Sequence, residues 1–392
     1  MKRILYHHRT QGRGVEGVHI RGMIDSFRKL GYEVDIVSPP GIDPYREKVS
    51  QVSNKKKKGI SRFWQLLAEK TPQAFFEMLE IFYNTYSCPV INKKLKQKKY
   101  EFLYERYALF SFSCAFLAKK FRLPFILEVN DATIIERSRP LIMKIIAQFI
   151  EKKVFKRADI IITITNYFKK LIINTYKINP DKILVLPNAI DPERFKLDPK
   201  KKITKSDLRI KNKYIIGMVG AFVPWHGLDF LIKGIHDLLS KLDVHILLVG
   251  DGPVRSEIEA LSKKLDIEKF ITFTGFMDSK LVPYYIDLMD ICVMPNSNKH
   301  GSPVKVLEYM AMGKPVLVPR YEPIEEIVTD GEEGLFFTPL DRKAFRTQLC
   351  CLIQDESLRK SMGEKAKKKA FKNFTWFNNA KKVIEKLNTL EV

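Results

Sequence analysis

Twelve short runs of β-branched and aromatic residues, alternating with stretches of helical pattern, constrain this chain more than any other feature. In the first half they are RILYH (3–7), EVDIVS (33–38), FLYER (102–106), FILEVN (125–130), DIIITIT (159–165) and ILVLPN (183–188). In the second half they are YIIGMVGAF (214–222), HILLVG (245–250), ITFTG (271–275), DICVMP (290–295), PVLVP (315–319) and LFFTP (335–339). Strands that are apolar along their length are buried on both faces, and the helices between them supply the cover, so the pattern predicts parallel sheets. A polar, Lys-rich joint at 190–213 separates the two series. The expected fold is α/β, with two doubly wound, Rossmann-like domains facing across a cleft. Their bounds are read as 1–195 and 213–370, with a linker at 196–212 and a terminal helical stretch at 371–392. Ligands of such sheets sit beyond the carboxyl ends of the strands.

Charge narrows the partners. The 392 residues carry a net +23, and residues 1–200 hold most of the excess. That asymmetry points to an anionic partner. Segment 54–99 sets an aromatic, partly amphipathic stretch between two lysine clusters, NKKKKG and NKKLKQKK. This is the pattern of an interfacial helix on an anionic bilayer. No apolar run approaches the ~20 residues of a membrane span, and the N-terminal stretch lacks the apolar core of a signal peptide. Cys88, Cys114, Cys292, Cys350 and Cys351 are odd in number and have neither metal nor disulfide-framework spacing, so reduced thiols are expected. These features read together as a cytoplasmic protein with peripheral contact to the inner face of a membrane. The basic residues are not interleaved with aromatics as in nucleic-acid readers, so no nucleic acid is expected.

Four loops at strand ends carry candidate chemistry. QGRGVEGVHI follows the first strand with a loose glycine loop that lets backbone approach a ligand. GAFVPWHG places Trp225 and His226 just beyond a strand of the second half, and Gly250 opens a turn after another. KHGSPVKVLEYMAMGKPVLVPR (299–320) is more pointed. Ser302 and Pro303 read as N-cap and first residue of a helix, and Gly313 as its stop. Cations at that end oppose the macrodipole. They make sense where an anion binds the first-turn amides around Val304 and Lys305. Glu308, about one and a half turns on among apolar neighbours, would reach hydroxyls attached to the same anion. A phosphate with a ribose beside it fits.

Along nearly its whole length the chain resembles the retaining family-4 glycosyltransferases of the GT-B fold. The matching stretches are GVEGVHI (14–20), LEVND (127–131), ADIIITIT (158–165), LPNAIDPERF (186–195), MVGAFVPWHG (218–227), LLVGDGP (247–253), FTGFM (273–277), DICVMPN (290–296) and GSPVKVLEYMAMGKPVL (301–317). The resemblance implies a nucleoside diphosphate-sugar donor in the second domain, an acceptor in the first, and a last helix that crosses back to the first domain. Glu308 is then expected on the ribose. Gly301, Ser302, Pro303, Val304 and Lys305 are expected around the distal phosphate, with Gly220, Ala221, Trp225 and Gly250 nearby and Phe276 and Met277 beside the base. Acceptor-side or interdomain candidates are Gly14, Glu16, Gly17 and His19, with Glu136 and Arg137.

Three departures from the family pattern stand out. His300 replaces a glutamate eight residues before Glu308. Ala221 and His226 replace an Arg and a Lys. Asn130 replaces a sugar-contacting His. A subgroup with PWHG and SPxK motifs is similar in these respects. Lys305, with His226 or Lys299, is expected to replace the missing phosphate cations, so that Lys305, Glu308, His226 and Asn130 are the catalytic candidates.

The implied activity is transfer of a sugar from a nucleoside diphosphate donor to a glycan or lipid-linked acceptor hydroxyl, as in surface polysaccharide or glycolipid synthesis. Retention of configuration is implied by the family. No cofactor or metal is expected, since the sequence shows no paired-acid metal motif. The alternatives are a sugar-nucleotide epimerase or hydrolase of the same fold, and a non-catalytic basic binding module.

Overall fold

The computed structural model describes residues 2–11, 14–45, 73–135 and 140–390. Residues 54–72, with the first lysine cluster, and Glu136 and Arg137 lie outside the described residues. The chain forms two compact units. One comprises Met1–Ile164, Phe168–Leu186 and Asn379–Val392; the other comprises Thr165–Tyr167 and Pro187–Asn378.

All twelve expected strands form. In the first unit they are β1 (Arg3–His8), β2 (Glu33–Val37), β3 (Phe102–Arg106), β4 (Phe125–Val129), β5 (Ile160–Thr163) and β6 (Ile183–Val185). They make one sheet in the order β2-β1-β3-β4-β5-β6, and every pairing is parallel. The second unit holds β7 (Tyr214–Val219), β8 (Val244–Val249), β9 (Ile271–Phe273), β10 (Ile291–Val293), β11 (Val316–Pro319) and β12 (Gly334–Phe337). Their order is β12-β11-β10-β7-β8-β9, again parallel throughout. These are the two doubly wound, Rossmann-like domains expected from the alternation of strands and helices, and the GT-B fold that the family resemblance implies.

Burial explains why the strands read as unbroken apolar runs. β7 sends Ile215 and Val219 into one apolar cluster and Ile216 and Met218 into another on the opposite face of the sheet. A strand covered on both sides has no solvent face to keep polar. Each sheet has a place where the strand order reverses: between β1 and β3 in the first unit, and between β7 and β10 in the second. Such switch points open a crevice at the carboxyl edge. Among the described residues no helix is long and apolar enough to cross a membrane.

Candidate active site

In the second unit the switch point is built from the ends of β7, β8 and β10 and the helix Val304–Ala311. Gly220 follows β7 at φ +130 and Gly250 follows β8 at φ +139. A Cβ on Gly250 would stand 2.1 Å from the Gly220 carbonyl oxygen, so only glycine lets the two strand ends approach this closely. A Cβ on Gly220 would stand 3.3 Å from Lys305 Nζ. The Lys305 ammonium therefore lies directly over the β7 end.

The helix sits one residue later than the sequence suggests. It begins at Val304 with Pro303 as N-cap, not with Ser302 in that role. Ser302 is otherwise engaged: its hydroxyl accepts the Asn188 amide at 3.0 Å and its carbonyl accepts Asn188 Nδ2 at 2.7 Å. Gly313, at φ +68, follows the helix as expected. The Val219 amide donates to Tyr309 Oη at 2.8 Å, which pins the helix to β7. The first-turn amides of Val304 and Lys305 have no carbonyl to pair with inside the helix.

Two charged groups on this helix are sequestered. Lys305 Nζ is shut off from solvent and has no hydrogen-bond partner. Burial pulls its pKa down to about 7 against the opposing pull of Glu308. The Glu308 side chain is 13% exposed and its Oε1 lies 3.3 Å from Arg194 Nη1. Burial raises the Glu308 carboxyl, and Arg194 and Lys305 pull it back down. Arg194 is itself fixed by donation to the Ser279 carbonyl at 2.9 Å. The PERF stretch of the sequence held this partner without announcing it, because the two residues are 114 apart.

The remaining candidates of this unit spread around the same edge. His226 Nδ1 lies 2.6 Å from the Ala221 carbonyl, and burial together with Lys305 pulls the imidazole down to about 4. The imidazole is thus held neutral, which speaks against the cationic part expected of it. Trp225 is half-exposed with its ring at an edge to His226. Phe276 is 77% exposed, while Met277 packs against the core. His300 accepts from Thr165 Oγ1 through its carbonyl. Gly301 donates to Asn298 Oδ1 at 2.6 Å.

The first unit places a second charged cluster at its own switch point. Glu128, in β4, is buried and accepts from Tyr104 Oη at 2.7 Å. It also accepts from Arg106 Nη1 and from Asn130 Nδ2, and lies 3.1 Å from His19 Nε2. His19 and Arg106 hold its carboxyl well below the usual range in spite of burial. Two sequence candidates, His19 and Asn130, thus meet on one carboxylate. Glu16 lies exposed in the first turn of the helix Gly14–Lys29, whose Gly17 is buried. Glu128, Arg106 and Tyr104 were missed. The available signal was the charge at the ends of FLYER and FILEV, since a charge inside a strand buried on both faces needs a partner.

Glu128 gives a stability prediction. A carboxyl with a depressed folded pKa stabilises above its unfolded pKa and loses that contribution as pH falls through the folded value. Glu128→Gln leaves Arg106 buried beside a neutral amide and is expected to cost about 3–5 kcal/mol at neutral pH. In urea melts the difference from wild type shrinks below about pH 4.

Among the described residues one group of metal-type ligands is compact: His7, Glu105 and Cys114 have ligand atoms within 4.8 Å of one another. His7 Nδ1 and Glu105 Oε1 are 2.9 Å apart and bonded to each other. Burial pushes the Cys114 thiol up, away from the thiolate a metal requires. The trio is a hydrogen-bonded pair beside a neutral thiol.

The fold and the paired clusters at the carboxyl edges define the GT-B class. Residues 199–369 match the family described as glycosyl transferases group 1, and residues 14–194 match glycosyltransferase family 4. Each match covers one half of the chain, and together they run over most of a chain whose fold is GT-B. It is 28% identical over 244 residues to an uncharacterised glycosyltransferase of Methanocaldococcus jannaschii, covering 61% of each chain. It is 24% identical over 251 residues to a GDP-mannose-dependent alpha-(1-6)-phosphatidylinositol monomannoside mannosyltransferase of Mycolicibacterium smegmatis, covering 60% of this chain and 64% of that one. The aligned stretches thus span under two thirds of these relatives. Among solved structures, Anabaena HepE in complex with UDP and glucose superposes with a TM-score of 0.71 at 17% identity, covering 99% of this chain and 100% of that one.

Proposed function

We propose that this protein moves a sugar from a nucleoside diphosphate-sugar to a hydroxyl of a glycan or lipid-linked acceptor, with retained anomeric configuration, at the inner face of an anionic membrane. The observation that carries the reading is the Lys305 ammonium, buried and unpaired at the carboxyl edge of the second sheet. A buried cation without a partner is costly, and a bound diphosphate relieves the cost. The first-turn amides of Val304 and Lys305 face the same anion. Glu308 takes the ribose hydroxyls, and Phe276 and Met277 flank the base.

As the glycosidic bond breaks, negative charge builds on the departing diphosphate. Lys305 and the helix start stabilise it where it develops. The chain's own groups supply this charge, so the proposal requires no metal. The acceptor is assigned to the first unit, near His19 and Asn130, where the Glu128–Arg106 pair fixes their orientation. No enzymatic nucleophile is assigned; attack on the face from which the diphosphate leaves gives retention. The UDP complex of the Anabaena protein and the GDP-mannose dependence of the mycobacterial relative support the donor class.

The test is product analysis with a panel of UDP-, GDP- and dTDP-sugars, with and without a polyprenyl-phosphate-linked acceptor. The expected product is a glycosylated acceptor whose proton NMR coupling shows the anomeric configuration of the donor. Free sugar or an altered sugar nucleotide formed equally without acceptor would identify a hydrolase or epimerase and sink the proposal.

A further inference from the structure

The helix Gln73–Gln97 has its polar and apolar faces inverted over residues 75–87. Its inward residues there include Glu77, Asn84 and Ser87, all buried. Each bonds another element. The Glu77 carboxylate accepts the amides of Ile142 at 2.9 Å and Met143 at 2.6 Å, just before the helix Lys144–Arg157. Asn84 Oδ1 accepts the amides of Phe112 at 2.9 Å and Ser113 at 3.2 Å, where the helix Ser113–Phe121 begins. Ser87 Oγ meets Ser113 Oγ at 2.8 Å. The inward face is polar because it satisfies the free amides of two other helix starts.

The outward face is apolar. Phe75, Met78, Leu79, Phe82 and Tyr86 are exposed at spacings of three and four, which puts them on one stripe. The two helix starts bonded to this helix extend the surface. Phe112 and Phe116 are exposed on one, and Ile142, Ile145, Ile146 and Phe149 on the other, with Ile145 at 83%. Exposed apolar side chains this numerous on three neighbouring helices mark a docking surface.

The charge around it has one sign. Lys93 and Lys96 end the first helix, Lys119 and Lys120 the second, and Lys152 and Lys153 flank Phe149, all exposed. Lys153 Nζ is 5.5 Å from the Phe149 ring. The acids of these three helices are Glu77 and Glu151, both buried, and Glu80, paired with Arg9 at 2.9 Å. A second copy of the chain on a twofold axis would set these lysines against themselves. An apolar face rimmed by uncompensated lysines matches acyl chains below anionic headgroups.

We propose that this face inserts into the interfacial layer of an anionic lipid bilayer. The proposal deepens the membrane contact in the functional reading. It moves the anchoring groups from the lysine clusters of the sequence to Phe75, Leu79, Phe82, Phe116, Ile145 and Phe149. Binding is measured without any substrate, so it and the catalytic reading fail separately.

The experiment is co-sedimentation of the full chain with sucrose-loaded vesicles of phosphatidylcholine, with and without phosphatidylglycerol. Wild type is expected to bind the mixed vesicles and to bind pure phosphatidylcholine weakly. Phe82→Ser/Phe149→Ser is expected to bind at least about tenfold more weakly, with melting temperature and activity on a soluble acceptor retained. Ile145→Ser, at the most exposed position, repeats the test with a single change. Vesicle binding that survives these substitutions overturns the proposal. So does a wild-type dimer in light scattering that the double variant dissolves, without vesicle binding by either.

Discussion

Lys305→Met is expected to abolish useful transfer and, at the same time, to raise the melting temperature of the unliganded protein. The two effects have one cause. The ammonium is sequestered without a partner and its pKa is pulled down to about 7. Between that value and the ordinary lysine range the unfolded chain binds more protons than the folded one. Folding stability therefore rises with pH across that window, and at neutral pH the lysine is a net burden. A methionine of similar length fills the same space without charge, and a gain of about 2 kcal/mol is expected, or several degrees in the melting temperature. Turnover is expected to fall about 10²–10³-fold, the usual scale for losing one preorganised group that stabilises developing negative charge. Calorimetry and initial rates check the pair of outcomes.

Donor affinity should carry the same signature. Lys305 faces Glu308 on its own helix and the neutral His226 imidazole from the loop after β7. If the diphosphate requires the protonated amine, binding takes up a proton above pH 7. Donor affinity of wild type then weakens roughly tenfold between pH 6 and pH 8. In Lys305→Met the dependence should be flat, as read by isothermal titration with an intact nucleotide sugar. A Lys305→Met variant with wild-type rates would remove the assignment of this site.

Glu308→Ala is the second large expected effect. Two charge-assisted hydrogen bonds to ribose hydroxyls, at about 1.5–3 kcal/mol each, correspond to a loss in kcat/KM of about 10²–10⁴-fold. The companion substitution Arg194→Gln separates position from charge. Arg194 lowers the Glu308 carboxyl against the upward push of burial. Without it the carboxyl protonates at higher pH, so the acidic limb of the kcat/KM profile moves upward while the rate on the plateau suffers less. A profile unmoved by Arg194→Gln would separate the two residues functionally.

How far the sequence spoke depended on how local the physics was. The twelve strands were legible because a strand covered on both faces writes its burial into consecutive residues. The helix start at Val304 was missed by one position, because the Ser302 hydroxyl that looked like a cap is taken by Asn188, 114 residues earlier. The misplaced cation at that helix start singled out Lys305, which is buried and has no hydrogen-bond partner. The burial of His226 and its place beside Lys305, which together keep that imidazole neutral, were not legible. Neither were the pairings of Arg106 with Glu128 and of Arg194 with Glu308. Single residues reveal that a buried charge needs a partner, but the fold chooses which one. In the helix Gln73–Gln97 the sequence showed aromatic content and flanking lysines, and could not show which stripe faces outward.

That helix also sets the terms on which the chain can be re-engineered. Deleting it to obtain a more tractable protein would strip Glu77 and Asn84 from two other helix starts, and the first unit would lose stability with them. Rewriting only its outward side chains leaves those bonds intact. Folding is carried by the inward side of this element, so its outward surface can be rewritten without renegotiating the architecture beneath it.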